Sequence, residues 1–346
     1  MNNTIHRRLK THNYHGRGIY MITIATEGRR PVLGVLSVNS ISSQVDEKDD
    51  MRSLDVKHIV NVSNNNDSQY KNVIPFVSLT TIGKIVTYHW KDISVRYPQI
   101  KSLVFQVMPD HIHGILFVEE ELSVHIGQVI GAFKFATTKS VMSQTLTGRV
   151  GTIIDRQRIA DGCYRLWEKS YNDLVLYGKK QLDHMISYVK DNPRRLYIKK
   201  AVSPYFQRSN GCINGRVVTM IGNKGLLESE SRLFVKCSRK MNDAEVQQAI
   251  RRFIDLGHLG AVLVSPFISP GERDVEKKAL QEGIGVIKIM SKGFSEYYKP
   301  GGVLFDACAE GRLLLVSQYD YSSRKRTLTR VLCEEMNGLA RIIASE

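Results

Sequence analysis

Residues 102–121 read SLVFQVMPDHIHGILFVEEE and contain two apolar runs, each of the length of a β-strand. Met108-Pro109-Asp110 separates the runs with residues that are typical of a turn. The pattern predicts two adjacent antiparallel strands, with a histidine pair at the start of the second. Because side chains two positions apart in a strand share a face, the imidazoles of His111 and His113 should lie together.

Two imidazoles on one face of an apolar strand need polar partners to be tolerated there. The spacing has two interpretations. The histidines are either a structural or surface pair, or they are the beginning of a metal site. The pattern alone leaves both open.

The segments around the histidine strand indicate an α+β fold. Residues 18–26, GIYMITIAT, alternate and are rich in β-branched side chains, which predicts a strand. Residues 80–97 have apolar side chains at helical spacing and stop before Pro98, and a second long helix is predicted from about Ser123. The polar stretch at about 38–75 is interpreted as a surface insertion or a mobile loop. This order predicts an antiparallel sheet with helices on one face.

A further helix is predicted from about Lys179 to Asp191, ending around Asn192-Pro193. On that helix His184, Tyr188 and Asn192 lie on one edge of the apolar stripe at i, i+4 spacing. Either these side chains converge on a site, or Tyr188 is an interfacial tyrosine and Asn192 caps the end of the helix. The helix pattern does not separate the two interpretations.

The second half of the chain has a different pattern of predicted strands and helices. Apolar runs such as GAVLVSP and IGVIKIM alternate with predicted helices such as GERDVEKKALQEG. Strands that alternate with helices predict a parallel α/β sheet. With the boundary placed in YFQRSNGCING, the chain divides into a domain at 1–203 and a smaller domain at 204–346.

Charge is the strongest global signal in the sequence. The 346 residues carry a formal net charge of +15. Such an excess of lysine and arginine attracts polyanions, and nucleic acid is the commonest polyanion available. The five cysteines are odd in number and include no CxxC pair, which argues against a zinc ribbon and a disulfide framework. With neither a signal peptide nor a long apolar run in the sequence, we expect a cytoplasmic protein without membrane contact.

MPDHIHGILF, followed downstream by YVKDNP, resembles the single-tyrosine HUH transposases, in particular the REP-associated tyrosine transposase branch. The resemblance covers roughly residues 12–200 and includes NYHGRGIYMITIAT, LTTIGKIVTYHW, FKFATTKSV and LWEKSYND. It implies a ferredoxin-like HUH nuclease domain. Asp110 stands where the family often has asparagine, and the polar insertion is longer than the family leads us to expect.

The resemblance implies residue roles as well as a fold. It implies that His111 and His113 bind a divalent ion, Mg²⁺ or Mn²⁺, and that Asn192 completes the metal shell. It implies that Tyr188 attacks the scissile phosphate of single-stranded DNA beside a hairpin. His184 is a candidate general base or DNA contact. Other tyrosines are near in sequence, but Tyr188 is the one that matches the motif; these competitors are Tyr171, Tyr177 and Tyr197.

Basic residues cluster before, within and after the tyrosine helix and in the N-terminal arm, where they could contact the DNA backbone. As single residues, each is also compatible with an ordinary solvated side chain. The candidates are Arg7, Arg8, Lys10, Lys179, Lys180, Lys190, Arg194, Arg195, Lys199 and Lys200.

From GAVLVSPFISPGERDVEKKALQEGIGVIKIM onward the second domain weakly resembles the Rossmann-like core of the DNA-processing A family. The family's phosphate-binding turn has no clear counterpart in FVKCSRKMND, so no catalytic role is assigned. The helix that starts at Ser269-Pro270-Gly271-Glu272, with Arg273 nearby, has two interpretations. It either offers backbone N–H groups to a phosphate or is a plain capped helix.

Three functions compete. The leading one is a transposase, mobile or domesticated, that nicks and rejoins single-stranded DNA at hairpin ends. The second is a replication initiator or relaxase of the same chemistry, whose families carry different flanking motifs. The third is a DNA-binding protein without turnover. The resemblance to the REP-associated branch slightly favours a monomer over a homodimer.

Overall fold

The computed structural model describes residues 9, 11–40, 73–296, 298–322 and 327–345. The chain divides into two compact units, and the first ends at Tyr197 while the second runs on from Ile198. The described residues form an α+β protein. Among them, no helix is both long enough and apolar enough to span a lipid bilayer.

The first unit contains six strands and four α-helices within the described residues, and the last of these helices continues four residues past Tyr197. In chain order they are β1 (Gly18–Ala25), β2 (Gly34–Ser40), β3 (Val73–Leu79), α1 (Thr81–Arg96), β4 (Ile100–Val107), β5 (His111–Val118), α2 (Ile126–Leu146), α3 (Ile153–Ala160), β6 (Asn172–Leu176) and α4 (Lys179–Ala201).

Four of these strands form one antiparallel sheet in the spatial order β4-β5-β1-β6. The predicted hairpin is therefore confirmed, and Val107 pairs with Ile112 across its turn. On the other side of β5, Thr23 of β1 pairs with His113 and Ala25 pairs with His111. The histidine strand lies inside the sheet, so its backbone is fixed on both edges.

One face of this sheet carries the main core of the unit. Alternate residues of β5, such as Ile112 and Leu116, pack with Val86 and Trp90 of α1 and with Phe133 of α2. The indole of Trp90 stacks on Phe105 at 4.6 Å and meets Phe133 edge-on. The long helices α1 and α2 thus cover the face opposite the histidines.

The helix α4 lies on the other face, which corrects the prediction that all helices share one face. Val189 of α4 packs with Met21 and Ile115, whose side chains are on the same side of the sheet as the histidines. The correction follows from strand alternation. The face that presents His111 and His113 also presents Ile115, and burying that apolar residue requires a helix on that side.

The prediction that this helix ends around Asn192-Pro193 was wrong, because α4 continues through Pro193 to Ala201. Proline lacks the N–H that would bond the carbonyl four residues earlier, here that of Val189. The Asn192 side chain supplies a donor instead: its Nδ2 donates to Tyr188 O at 2.8 Å and lies 3.5 Å from Val189 O. The side chain before the proline thus offsets part of the lost backbone bonding.

The polar insertion lies for the most part outside the described residues. At its two ends β2 and β3 form a separate antiparallel ladder, with Gly34 opposite Leu79 and Ser40 opposite Val73. The insertion was predicted to begin at residue 38 and end at 75, so three residues at each end belong to strands.

The second unit contains six strands and four helices within the described residues. They are β7 (Ser209–Ile213), β8 (Arg216–Gly222), β9 (Arg232–Phe234), α5 (Asp243–His258), β10 (Val262–Ser265), α6 (Pro270–Gln281), β11 (Val286–Ile289), α7 (Val303–Ala309), β12 (Leu313–Ser317) and α8 (Arg330–Ser345).

These strands form one mixed sheet in the order β7-β8-β12-β11-β10-β9. Strands β9 to β12 run parallel, in agreement with the predicted strand and helix alternation. The hairpin β7-β8 extends the sheet antiparallel to β12 and was not predicted. Its two-residue loop is Asn214-Gly215, both with positive φ (45° and 75°), which is the preferred hairpin sequence.

The start of α6 is a capped helix with a reciprocal pair of side-chain caps. Ser269 Oγ accepts from Glu272 N at 3.2 Å. One oxygen of the buried Glu272 carboxylate accepts from Ile268 N at 2.8 Å and from Ser269 N at 3.1 Å. The other oxygen accepts from Cys237 N at 3.3 Å. Of the two interpretations of this segment, the structure favours the capped helix over the phosphate site.

Candidate active site

The two histidines of β5 face each other through the same ring atom. His111 Nε2 lies 3.1 Å from His113 Nε2, and the rings are almost perpendicular, with centroids 4.7 Å apart. His113 is 6% exposed, so it is shielded from bulk water by the sheet and by α4. The strand geometry places the two rings together, as the spacing of the sequence predicted.

The outer nitrogen of each ring has its own hydrogen-bond partner. Asp110 Oδ1 lies 2.6 Å from His111 Nδ1, and Thr23 Oγ1 lies 2.8 Å from His113 Nδ1. A carboxylate only accepts, so His111 carries its hydrogen on Nδ1 and a neutral ring presents a lone pair on Nε2. A hydroxyl both donates and accepts, so Thr23 is compatible with either tautomer of His113.

Asp110 is held in its charged form by its neighbours. Burial raises the pKa of Asp110, but the hydrogen bond with His111 and the nearby Arg29 guanidinium hold it below its ordinary value. Arg29 NH1 lies 3.6 Å from Asp110 Oδ2. Arg29 itself stands at a positive φ of 53°, in the short turn after β1. An ionised Asp110 makes the His111 ring a better electron donor at Nε2.

Tyr188 of α4 packs against one member of the histidine pair, His113. Its ring lies edge-on to His113, with centroids 5.9 Å apart. The apolar stripe of α4 fixes this approach, because the side chains around Tyr188 pack on the buried cluster of Met21, Ile115, Leu176 and Val189. About seventy positions of sequence separate the tyrosine from the histidines, and the packing of one helix on one sheet face brings them together.

The guanidinium of Arg195 lies over the ring of Tyr188, 5.6 Å from its centroid. Arg195 is two turns further along α4 and half-buried. A cation over an aromatic face is attracted by the quadrupole of the ring. Arg195 was predicted as a DNA contact, and the structure places it directly beside the predicted nucleophile.

Asn192 lies one turn after Tyr188 and is buried. Its described hydrogen bonds go to the backbone of its own helix, from Nδ2. The described hydrogen bonds do not involve Oδ1, which is the atom that a metal ligand at this position would use. That role stays a prediction.

The histidine pair fits a divalent cation in its donor chemistry. Two neutral imidazole nitrogens 3.1 Å apart can both reach one ion at ligand distances of about 2.1 Å. Each ring is oriented by a hydrogen bond at its other nitrogen, as metal-bound histidines are. Within the described part of the chain, no group of three or more His, Cys, Asp or Glu side chains could hold a metal. The amide of Asn192 is not among these residue types.

The remaining predicted residues occupy different environments. His184 is exposed one turn before Tyr188. Arg194 binds Asp191 on its own helix at 2.6 Å, and Lys199 is half-buried. Four of the predicted DNA contacts are exposed along α4, namely Lys179, Lys180, Lys190 and Lys200. Arg7, Arg8 and Lys10 lie outside the described residues.

Thr23 and Arg29 belong to the site but were not predicted. Thr23 reaches His113 because the two residues are paired across neighbouring strands. Arg29 reaches Asp110 through the turn that follows β1. Neither contact has a signal in the local sequence, since both depend on the pairing of β1 with β5 over some ninety positions. The adjacent Asp110 departs from the family pattern, and its contact with His111 was not predicted either.

The sequence matches no family model. A protein of uncharacterised function from Haemophilus influenzae strain Rd is 22% identical over 194 residues, which cover 54% of this chain and 86% of that protein. At this identity the comparison assigns no function.

Structures with distant similarity come from DNA-processing and transposase proteins. The Helicobacter pylori DNA processing protein A, whose single-stranded DNA binding is described, has a TM-score of 0.32 and 17% identity, over 41% of this chain and 67% of that chain.

The second structure is a REP-associated tyrosine transposase bound to a REP hairpin, with a TM-score of 0.29 and 13% identity, over 54% of this chain and 73% of that one. The third is a Deinococcus radiodurans protein with a provisional transposase assignment, with a TM-score of 0.27 and 14% identity, over 54% of this chain and 96% of that one. These relationships are distant.

Proposed function

We propose that the first unit is a metal-dependent endonuclease and strand transferase that acts on single-stranded DNA beside a hairpin. The observation that carries this proposal is the meeting of three side chains on one sheet face. The Nε2 atoms of His111 and His113 converge to 3.1 Å, and the ring of Tyr188 lies against His113 at 5.9 Å. A two-histidine cation site beside a phenol suits nucleophilic attack on a phosphodiester.

In the proposed reaction, Tyr188 Oη forms a bond to phosphorus while the bond between phosphorus and the 3′ oxygen breaks. The phenol loses its proton and the leaving 3′ oxygen gains one. The product is a 5′-phosphotyrosine link and a free 3′-hydroxyl. Because the link keeps the energy of the broken bond, the same 3′-hydroxyl or another DNA end can reverse the step and rejoin the strand.

A bound Mg²⁺ or Mn²⁺ would polarise the phosphorus and stabilise the negative charge that develops in the transition state. His111 and His113 would hold this ion, and Asn192 Oδ1 is the proposed third protein ligand. Asp110 and Thr23 would orient the two rings. Arg195, over the face of Tyr188, would attract the phenolate and the phosphate bonded to it.

The fold assignments belong to the same proposal. The main sheet follows the succession β-α-β-β-α-β, with β6 at one edge, which supports a ferredoxin-like HUH unit. The parallel strands β9 to β12 support a Rossmann-like accessory unit. The exposed lysines of α4 would bind the DNA backbone.

The test is covalent capture of DNA by the full chain. Oligonucleotide hairpins of varied stem sequence, with randomised single-stranded flanks and a label at the 3′ end, are incubated with the protein and Mg²⁺ or Mn²⁺. The label stays on the fragment that becomes joined to Tyr188 through its 5′ phosphate. We expect a labelled protein band on a denaturing gel, absent with EDTA and in His111→Ala.

Tyr188→Phe removes a single oxygen and should abolish the band. Tyr88→Phe is the matched control, since it removes the same oxygen from an exposed tyrosine of α1, on the opposite side of the sheet. A band that persists in Tyr188→Phe would refute the nucleophile assignment. Binding without any band in the unchanged protein would favour a DNA-binding protein without turnover.

A further inference from the structure

An aromatic cluster outside the proposed active site joins the N-terminal segment to the start of α4. His12 meets three tyrosine rings edge-on: Tyr14 at 4.8 Å, Tyr20 at 5.6 Å and Tyr177 at 6.3 Å between centroids. Tyr177 directly follows the edge strand β6 and precedes the helix that carries Tyr188. None of these rings has a role in the proposed phosphotyrosine chemistry.

The inner members of the cluster are fixed. Tyr20 is fully buried, and His12 Nε2 lies 3.0 Å from its hydroxyl oxygen. Tyr14 is buried as well and donates from its hydroxyl to Asp173 Oδ2 at 2.9 Å. Burial is the main cause that raises the pKa of Tyr20 to about 12, so its hydroxyl stays protonated at neutral pH. The hydrogen bond between His12 and the buried Tyr20 therefore fixes the His12 ring, whose edge packs against Tyr177.

Tyr177 is the outermost member of the cluster, and 70% of it is exposed. Its backbone is held nevertheless, since Tyr177 N donates to Gln181 Oε1 at 2.9 Å. Lys179 and Lys180 follow at once, and both are exposed. Proteins that bind single-stranded nucleic acid combine exposed aromatic rings with nearby cations. The ring stacks on a nucleobase, and the cations contact the phosphates.

We infer that Tyr177 is a base-stacking platform for the single-stranded flank of the DNA substrate. The inference rests on the proposed function for the identity of the polymer. Val175 pairs with Tyr20 on the sheet face opposite Tyr188, and Tyr177 follows two residues later, at the end of the edge strand. The platform would hold a base of the single-stranded flank at this edge of the sheet.

The experiment measures equilibrium binding of the full chain in the Tyr188→Phe background, where no covalent capture interferes. Fluorescence anisotropy is read with a labelled hairpin oligonucleotide that carries a single-stranded flank. We expect Tyr177→Ala to raise the Kd about 5- to 100-fold, the range for loss of one stacked base. Tyr177→Phe and Tyr177→Trp should bind like the parent, because both keep a ring.

Two further readouts separate stacking from charge. Oligonucleotides with a single abasic position are scanned along the flank, and the effect of Tyr177→Ala should vanish at one position and persist at the others. The slope of log Kd against log salt should stay unchanged in Tyr177→Ala and become shallower in Lys179→Ala. Tyr88→Ala, which removes an equally exposed ring from α1, is the matched control and should not alter binding.

The inference is overturned if Tyr177→Ala binds within twofold of the parent, or if its loss is the same at every abasic position. These results do not depend on strand cleavage. Failure of the platform would leave covalent capture by Tyr188 untouched. Conversely, a platform that binds DNA in a protein that forms no covalent adduct would contradict only the proposed transferase.

Discussion

The indole of Trp90 occupies the space that a side chain at Gly114 would need. A Cβ placed at position 114 would lie 2.1 Å from Trp90 Cζ2. The ring cannot easily move away, because Trp90 Nε1 donates to Ser102 Oγ at 2.8 Å and the ring stacks on Phe105. Gly114 follows His113 directly, so the closeness of α1 to the sheet is coupled to the position of the histidine strand.

Gly114→Ala should therefore destabilise the protein by about 1–3 kcal/mol, as overpacking of a core does, and should weaken Mn²⁺ binding by displacing β5. Thermal unfolding and Mn²⁺ titration measure the two effects. Gly131→Ala is the control: its Cβ would meet nothing within 4 Å, on an exposed position of α2. That change should stabilise the helix by about 0.5–1 kcal/mol. Unaltered stability of Gly114→Ala would contradict the packing.

Asp110 should act through the orientation of His111. Asp110→Leu removes the acceptor of His111 Nδ1, and loss of such a partner typically lowers metal affinity about 10- to 100-fold. Asp110→Asn keeps an acceptor oxygen and should bind Mn²⁺ within a few-fold of the parent. Calorimetric titration of Mn²⁺ into the three proteins decides the matter. Equal affinities for Asp110→Leu and the parent would show that the hydrogen bond has no part in binding.

Asn192 and Pro193 should be coupled in stability. Asn192→Ala removes the amide that donates near the carbonyls of Tyr188 and Val189, which should cost about 1 kcal/mol. In a Pro193→Ala background the backbone N–H returns, and the cost of Asn192→Ala should shrink. Urea unfolding of the four proteins of this cycle measures the coupling. Additive costs would mean that the amide does not substitute for the missing donor.

The predicted role of Asn192 as a metal ligand can be tested separately from its effect on stability. Asn192→Asp keeps an oxygen for the metal but loses the donor, so it should lower stability while preserving or raising Mn²⁺ affinity. A metal affinity that is unchanged in both Asn192→Asp and Asn192→Ala would remove Asn192 from the set of ligands.

Asp155 at the start of α3 should make part of the stability dependent on pH. Burial raises the pKa of Asp155, but hydrogen bonds from Thr152 and Arg30 more than offset burial and hold it below its ordinary value. The unfolded chain has a value of about 3.9 at such a residue. The stabilisation is therefore present above about pH 4 and is lost as pH falls through the lower folded value.

Asp155→Asn should cost about 1–2 kcal/mol at neutral pH, allowing for partial solvent screening of the ion pair. The difference in the free energy of unfolding between Asp155→Asn and the parent should become smaller as the pH falls towards 3. Urea unfolding at a series of pH values measures it, with Asp161→Asn at the exposed end of the same helix as the control. A difference that does not change with pH would show that the charge of Asp155 is not what stabilises the turn.

The hairpin of β4 and β5 was predictable because its sequence pattern is local. Two apolar runs and a Pro-Asp turn define both strands and their faces. The end of α4 was mispredicted for a related reason. Proline usually stops a helix, and the rule takes no account of the Asn192 side chain that donates to the backbone beside it. The Asn214-Gly215 pair is itself a clear local signal for the hairpin of β7 and β8.

The candidate site was predictable only in part. The spacing of His111 and His113 requires a shared face, and Tyr188 was placed by resemblance to a family motif. That α4 lies on the histidine face follows from burial of Ile115, which no local pattern discloses. Thr23 and Arg29 enter through the pairing of distant strands, so their contacts emerge only when the sheet is assembled.

The carboxylate of Glu272 has a consequence for the second unit. Helix starts attract phosphate because their N–H groups and dipole favour a negative charge. At α6 a carboxylate is built into the first turn and accepts from the backbone N–H groups of Ile268 and Ser269. The helix start therefore already carries a carboxylate of its own, and Glu272→Gln should leave any binding of nucleic acid to the second unit unchanged.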